Sequence, residues 1–429
     1  MADDNDSSRP AASVIETASR RPVWPWLAGV AVLAVGVLIG WGVSKAPWSS
    51  AKPPAASTVP PGAIAIKEGA PVEWSEDGGS AQAVYAVDGL AITLKGKDTK
   101  DGRVATLHLV GPDGRGIDID GEVGFDKASM TFMVGRLDTA GPTPQVIAMS
   151  FTGGAHCCTS IQILTFVGDA WRQVDGGMWD GEGLQDFPKD LDGDGRPELE
   201  LADNSFLYTF NSYAGSFPPP LYFNLIGDKL VDVSAKPQLG AAYQSTFDDA
   251  GKSCREGENG ACAAYIAAAA RIGRYEEAWP KMLAAYDREL EWSLPTPCRN
   301  PKPKQECDKA DVVTFATFPE ALRWFLGDQG YLPAIPLPPP AHGSGPSFDC
   351  GKAEGEVPQL ICADAGLAAQ DRDLGILYSR ALLLVPDAAG VKRDELAFLQ
   401  ARDDAGPDRE ALAALYAQRL EALRHQVGE

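Results

Sequence analysis

The sequence predicts a multidomain chain: a single N-terminal transmembrane helix, an all-β central domain, a small α-helical domain and a C-terminal disulfide-stapled helical bundle. Three observations on the 429 residues lead there. An uncharged apolar run covers residues 23–43. Beyond it a hydrophobic period of two gives way, near residue 238, to a spacing of three to four. Finally, all eight cysteines follow the apolar run, and six of them fall into closely spaced pairs.

Residues 1–22 are polar, rich in Ser and Asp, and are expected as a disordered cytoplasmic tail. The run VWPWLAGVAVLAVGVLIGWGV has no charge between Arg21 and Lys45. At ~1.5 Å per residue it is long enough to cross a ~30 Å hydrocarbon layer. Trp24, Trp26 and Trp41 near its ends suit the interface, where an indole keeps its ring dry and its N–H wet. A cleaved signal peptide is the alternative; the run exceeds the usual ~7–15 apolar residues and no A-x-A site follows. Gly36 and Gly40 form a G-x-x-x-G through which two such helices can approach as a homodimer. Arg9, Arg20 and Arg21 precede the helix and Lys45 and Lys52 follow it, a bias that keeps the N-terminus in the cytoplasm.

Residues 44–62, rich in Pro, Ala and Ser, are expected as an extended tether. The β domain spans 63–237. In RVATLHLV, Ala105, Leu107 and Leu109 alternate with Thr106 and His108, and QAVYAV, MTFMVGRL, QVIAMSF, SIQILTFV, FLYTF and LYFNL are similar runs between Gly, Asp and Pro clusters. Some 170 residues make only about three propeller blades, so a sandwich or irregular sheet pair is expected. Residues 238–330 form the helical domain, with Tyr265, Ile272, Ala278, Met282 and Ala285 as contacts and a further helix at FPEALRWFL. Its GRYEEAW segment resembles half of a tetratricopeptide unit, in a single copy. A proline-stiffened linker covers 331–346. In the last domain, 347–429, three helices are marked by Leu367 to Val385, by Leu396 with Phe398 and Leu399, and by Leu412 to Leu423.

Cys254/Cys262, Cys298/Cys307 and Cys350/Cys362 lack zinc-type C-x-x-C spacing, so disulfides are favoured over metal. The compartment that follows is a bacterial periplasm, with the chain held at the inner membrane. In FTGGAHCCT, Cys157 and Cys158 are expected as a vicinal disulfide, with buried thiols or a redox or metal site with His156 as alternatives. The net charge of -21 argues against nucleic acid as a partner.

DLDGDGRPE places Asp190, Asp192 and Asp194 at alternate positions, with the Arg196 carbonyl and Glu198 to complete a wrap around a hard cation. Calcium in a structural role is expected. The twelfth position is Leu201, so this is no EF-hand, and it looks more like the calcium loops of integrin-type and other secreted β-repeat proteins. A solvated Asp/Gly turn is the alternative. Only four histidines are present, none in a G-x-S-x-G or H-E-x-x-H context, so no residue is assigned as catalytic and the chain is not expected to be an enzyme.

In the C-terminal segment, Phe348-Asp349-Cys350, Ile361-Cys362, Asp364, Leu367, Asp371, Leu374 and Tyr378 are followed by Arg402-Asp403, Leu412 to Tyr416 and Arg419. In order and spacing these resemble the LprI-like lysozyme inhibitor N-terminal domain family. Where many members carry a second cysteine pair this chain has Ala405 and Ala411, so the resemblance leaves Cys350–Cys362 as the sole staple. The resemblance implies action by protein binding, with a lysozyme-like periplasmic protein as candidate partner. The 15 acidic and 9 basic side chains of 347–429 would attract a basic partner. An envelope sensor or scaffold with a ligand-binding β domain is the alternative function, and a peptidoglycan-acting enzyme a more distant one.

Overall fold

The computed structural model describes residues 60–78, 81–124, 127–335, 337, 345–385 and 387–427. The expected membrane span 23–43, the Gly36/Gly40 face and the N-terminal tail lie outside the described residues. Among the described residues no helix is long and apolar enough to cross a membrane.

Ten strands build two five-stranded sheets. The first joins β1 (Ile64–Ala65), β3 (Gln82–Val87), β4 (Leu90–Asp98), β5 (Arg103–Val110) and β6 (Gly116–Val123) in that order. In the second, β10 (Ala170–Asp180), β9 (Cys157–Val167), β8 (Gln145–Phe151), β7 (Ser129–Gly135) and β2 (Val72–Ser75) lie side by side. Asp88 and Gly89 both have positive φ, the requirement of a two-residue primed turn, and set the β3–β4 register at Val87 opposite Leu90. Between the sheets lies one core, with Tyr85, Leu94 and Leu107 facing Phe132, Ala148 and Leu164.

The second sheet is covered on its other face as well. There Ile147, Met149, Ile161 and Ile163 pack against Leu199, Phe223 and Leu225 of a three-stranded sheet made of β11 (Leu199–Ala202), β12 (Pro220–Ile226) and β13 (Lys229–Asp232). Burial on both faces is why β8 is apolar almost continuously rather than alternating.

One expected strand is absent. FLYTF forms 3-10 and turn structure: the Asp203 side chain accepts from Ser205 N and starts a 3-10 turn at Asn204–Phe206, and Tyr208 takes a φ of 58°. Phe206 and Phe210 both enter the helical core from this turn.

The helical domain holds α1 (Gln244–Arg255), α2 (Asn259–Arg271), α3 (Tyr275–Ala285) and α4 (Phe318–Asp328). Cys254–Cys262 ties α1 to α2, and Cys298–Cys307 closes a loop between α3 and α4. Almost every residue of α2 is buried, so its alanines let neighbours approach closely on several sides. Tyr265, Ala278 and Met282 are core residues as expected, while Ile272 and Ala285 are partly buried at its margin. Tyr222 of β12 belongs to the same core, so β11–β13 separate two cores, one on each face. The segment expected as a linker from residue 331 begins packed: Tyr331 is buried, and Leu332, Ile335 and Leu337 lie against the helical core.

The last segment comprises α5 (Glu356–Ala363), α6 (Ala365–Leu384), α7 (Ala388–Asp404) and α8 (Arg409–Val427), with Cys350–Cys362 closed at its start. The expected helices include neither the short α5 nor α1, although Phe247, Ala250 and Cys254 recur at helical spacing along α1. The bundle docks on the helical domain: Leu383 and Leu384 enter that core, and Arg380 Nε bonds the buried carboxylate of Glu320 on α4. Leu396, expected on the packed face of its helix, is instead 68% exposed; α7 turns Val391 and Phe398 inward.

Candidate functional site

Three places carry chemistry. The acidic loop lies between Lys189 and Glu198, which bridge each other as a two-residue ladder. Gly193 and Gly195, at φ of 77° and 86°, curl the chain so that Asp190 accepts from both of their N–H groups, at 2.8 and 2.9 Å. Asp192 and Asp194 likewise accept from the N–H two residues on. Glu198 is buried and accepts from Leu191 N at 2.7 Å and Asn224 Nδ2 at 2.9 Å. Carboxylate oxygens of Asp190, Asp192, Asp194 and Glu198 come within 4.8 Å of one another. The donor set is all oxygen, as a hard cation requires.

A residue that the sequence pattern does not reveal also sits there. Lys236 Nζ reaches Asp192 Oδ2 at 2.7 Å, Asp194 Oδ2 at 2.8 Å and Asn224 Oδ1 at 3.3 Å. Burial alone would lower the Lys236 ammonium, but the two aspartates outweigh it and raise its pKa. The same ammonium holds the Asp194 carboxyl below its usual range. Arg196 turns its guanidinium away to Asp138, at 3.2 Å. No short-range signal could pair Lys236 with a loop some forty residues earlier.

At the end of β9, Cys157 and Cys158 are joined to each other, and no cysteine of the chain is free. His156 beside them is fixed through its backbone, whose carbonyl accepts from Gly181 N at 2.8 Å. Its Nδ1 meets Asp180 Oδ1 at 2.9 Å, and Asp180 Oδ2 accepts the Tyr213 hydroxyl. Because a carboxylate only accepts, Nδ1 carries a proton toward Asp180, and in that tautomer Nε2 is the acceptor. The Tyr208 hydroxyl stands 3.3 Å from Nε2, and the Tyr213 ring stacks on the imidazole with centroids 3.8 Å apart. The hydrogen bond to Asp180 pushes the Tyr213 phenol up to about 12, so it remains a donor. His156 stands out in the sequence, but its partners come from a strand end, Asp180, from FLYTF, Tyr208, and from the turn at Tyr213–Gly215.

The third place is a groove of about 690 Å³ in the C-terminal bundle, walled by Phe348, Leu374, Tyr378, Leu396 and Leu399 and rimmed by Lys352, Glu354 and Lys392. Beneath it Asp371 is buried and accepts from Ser347 N, Ser347 Oγ and Tyr416 Oη at 2.6–2.7 Å. Glu395 and Arg419 form a second buried pair at 3.1 Å, and burial raises the Glu395 carboxyl. Asp364 starts α6 by accepting from Gly366 N and Leu367 N and also pairs with Arg409. The polar residues shared with the LprI-like pattern thus hold the bundle together, while the open wall comes from α7.

Residues 238–330, from the turn before α1 to just past α4, match the family model of the sll0997 C-terminal domain. The chain is similar to the probable thylakoid lumen protein sll0997 of a Synechocystis species, 36% identical over 206 residues that cover 46% of this chain and 59% of that protein. It is also similar to the uncharacterized protein y4bJ of Sinorhizobium fredii, 39% identical over 201 residues covering 46% of this chain and 31% of the relative. The chain therefore spans between about a third and about three fifths of these relatives' own lengths. No solved structure matches it.

Proposed function

We propose that this chain is a membrane-anchored extracytoplasmic protein that acts by binding another protein through its C-terminal bundle. The observation that carries this reading is the groove whose wall presents Leu396 at 68% exposure on a helix that buries Val391 and Phe398. Four disulfides support an oxidising compartment, and so does a relative named as a lumenal protein. The bacterial periplasm, with residues 23–43 as anchor in the inner membrane, is the specific form of this proposal. The LprI-like resemblance makes a basic, lysozyme-type enzyme the first partner to try, and the acidic excess of 347–429 favours its approach. The chain is assigned no catalytic role.

The test is lysozyme activity in the presence of the chain and of Leu396→Asp. Inhibition that falls with added salt and is lost in the variant supports the reading. Full lysozyme activity at micromolar chain and low salt removes lysozyme as the partner and favours an envelope scaffold.

A second reading concerns the acidic loop, favoured by its four converging carboxylates. Structural calcium bound by Asp190, Asp192, Asp194 and Glu198, with Arg196 contributing its carbonyl, would answer their crowded charge once Lys236 moves aside. Thermal unfolding with calcium and with a chelator tests it: identical midpoints in the two would end the idea.

A further inference from the structure

We propose that the surface formed by His156, Asp180, Tyr208 and Tyr213 is a binding site for a neutral saccharide, with Tyr208 as the stacking face and His156 Nε2 as an acceptor for a sugar hydroxyl.

The argument starts with Tyr208. A bulky residue at φ 58° is uncommon and persists only where its surroundings hold it there. Two hydrogen bonds do so: Tyr208 N donates to Ser216 Oγ at 3.0 Å, and Trp292 Nε1 donates to Tyr208 O at 3.0 Å. The conformation does not serve the core, because the side chain is 51% exposed. What it achieves is placement. The ring stands in the open while its hydroxyl reaches His156, which Asp180 and the Gly181 N–H already hold.

Chemistry then narrows the ligand. A sugar hydroxyl both donates and accepts, so it is recognised where acceptors and donors are interleaved. The Tyr213 proton is committed to Asp180, so the Tyr213 oxygen and the remaining lone pairs of Asp180 accept. A sugar hydroxyl that replaces the long 3.3 Å contact between Tyr208 and Nε2 gains Nε2 as an acceptor and the Tyr208 hydroxyl as a donor. The C–H face of a pyranose is apolar and flat enough to lie on an exposed aromatic ring, which carries a large apolar area on a stiff two-torsion side chain. A cation is a poorer match, because two donors already share the Asp180 charge. An anion would face that carboxylate directly.

The experiment is calorimetric titration of the full chain with a chitin oligosaccharide and with a cellulose oligosaccharide, for the parent and for Tyr208→Gly, Tyr208→Phe and His156→Gln. Glycine accepts positive φ without strain, so Tyr208→Gly removes the ring while leaving the thermal midpoint equal or higher. Binding of at least one oligosaccharide is expected, lost in Tyr208→Gly and weakened roughly tenfold in His156→Gln, the scale of one hydrogen bond in a protected site. Tyr208→Phe keeps the face and loses the hydroxyl, so it should weaken binding less than Tyr208→Gly. If His156→Gln fails to fold, the two Tyr208 variants decide. No heat from either sugar at millimolar concentration overturns the proposal, and so does binding that Tyr208→Gly leaves unchanged.

Discussion

The indole N–H of Trp279 donates to the main-chain carbonyl oxygen of Leu384, 105 residues further along the chain. Both residues are buried in the same core, so the bond fastens the end of α6 to α3. Trp279→Phe should keep most of the packing and lose the bond, destabilising the chain by about 1–3 kcal/mol because the Leu384 carbonyl is left unpaired. Trp279→Ala should cost about 3–5 kcal/mol through the cavity it leaves. Chemical denaturation of both variants measures the difference; no loss in Trp279→Phe beside a large loss in Trp279→Ala would mean that packing alone joins the two helices.

A pH effect is expected from Asp203. The carboxylate lies deep and accepts the Tyr331 hydroxyl at 2.8 Å as well as Ser205 N and Oγ, and burial raises its pKa despite these donors. The folded state therefore holds this proton more tightly than the unfolded one. The stability it contributes is fully present below about pH 4, the usual aspartate value, and is lost as pH rises through the higher folded value. Asp203→Asn should flatten this part of the profile, so the midpoint difference between parent and variant should change as pH rises above about 4. Parallel profiles would remove Asp203 as the source.

Lys236 makes the acidic loop testable from the opposite side. Lys236→Met leaves Asp192, whose side chain is only 2% exposed, facing Asp194 without its cation. In chelator the variant should lose about 1–3 kcal/mol, the cost of an unsatisfied charged group. Calcium should then raise its midpoint by more than it raises the parent's, and Asp192→Asn with Asp194→Asn should abolish the response. A Lys236→Met variant indifferent to calcium would mean that the ammonium is the only cation this loop needs.

Cys350–Cys362 holds the 3-10 turn at Cys350–Lys352 against α5 and so anchors one end of the groove. Replacing both cysteines with alanine should cost ~2–4 kcal/mol, and the loss should be recovered in no part by calcium. Thermal unfolding of the double variant measures it. Any calcium-dependent recovery would tie the two regions together energetically.

Strands showed themselves in the sequence wherever one face met a core. Ala105, Leu107 and Leu109 are all fully buried, while His108 between the last two is exposed. The reading failed where a local cap competed with the period. In FLYTF the alternating apolar residues suited a strand, but the Asp203 cap and the positive φ of Tyr208 turned the same residues into a helical-type corner. The acidic loop was visible because its carboxylates, Asp190 to Glu198, lie close together in the sequence. Lys236, and the Asp180, Tyr208 and Tyr213 partners of His156, were not, because only tertiary folding brings them together. Leu396 was misread because an exposed leucine and a buried one are the same letter, and α7 has too few apolar residues to define its inner face by period alone.

The three-stranded sheet also decides where the chain can be divided. With Phe223 and Leu225 committed to one core and Tyr222 to the other, a cut at residue 237 would strip one wall from the helical segment and leave aromatic surface bare. A piece that carries both walls of that core begins near Leu199 and runs through Leu384 at the end of α6. Anyone transplanting the helical segment into another protein would have to graft this sheet along with it, and a fragment trimmed to 238–330 should come out sticky rather than folded.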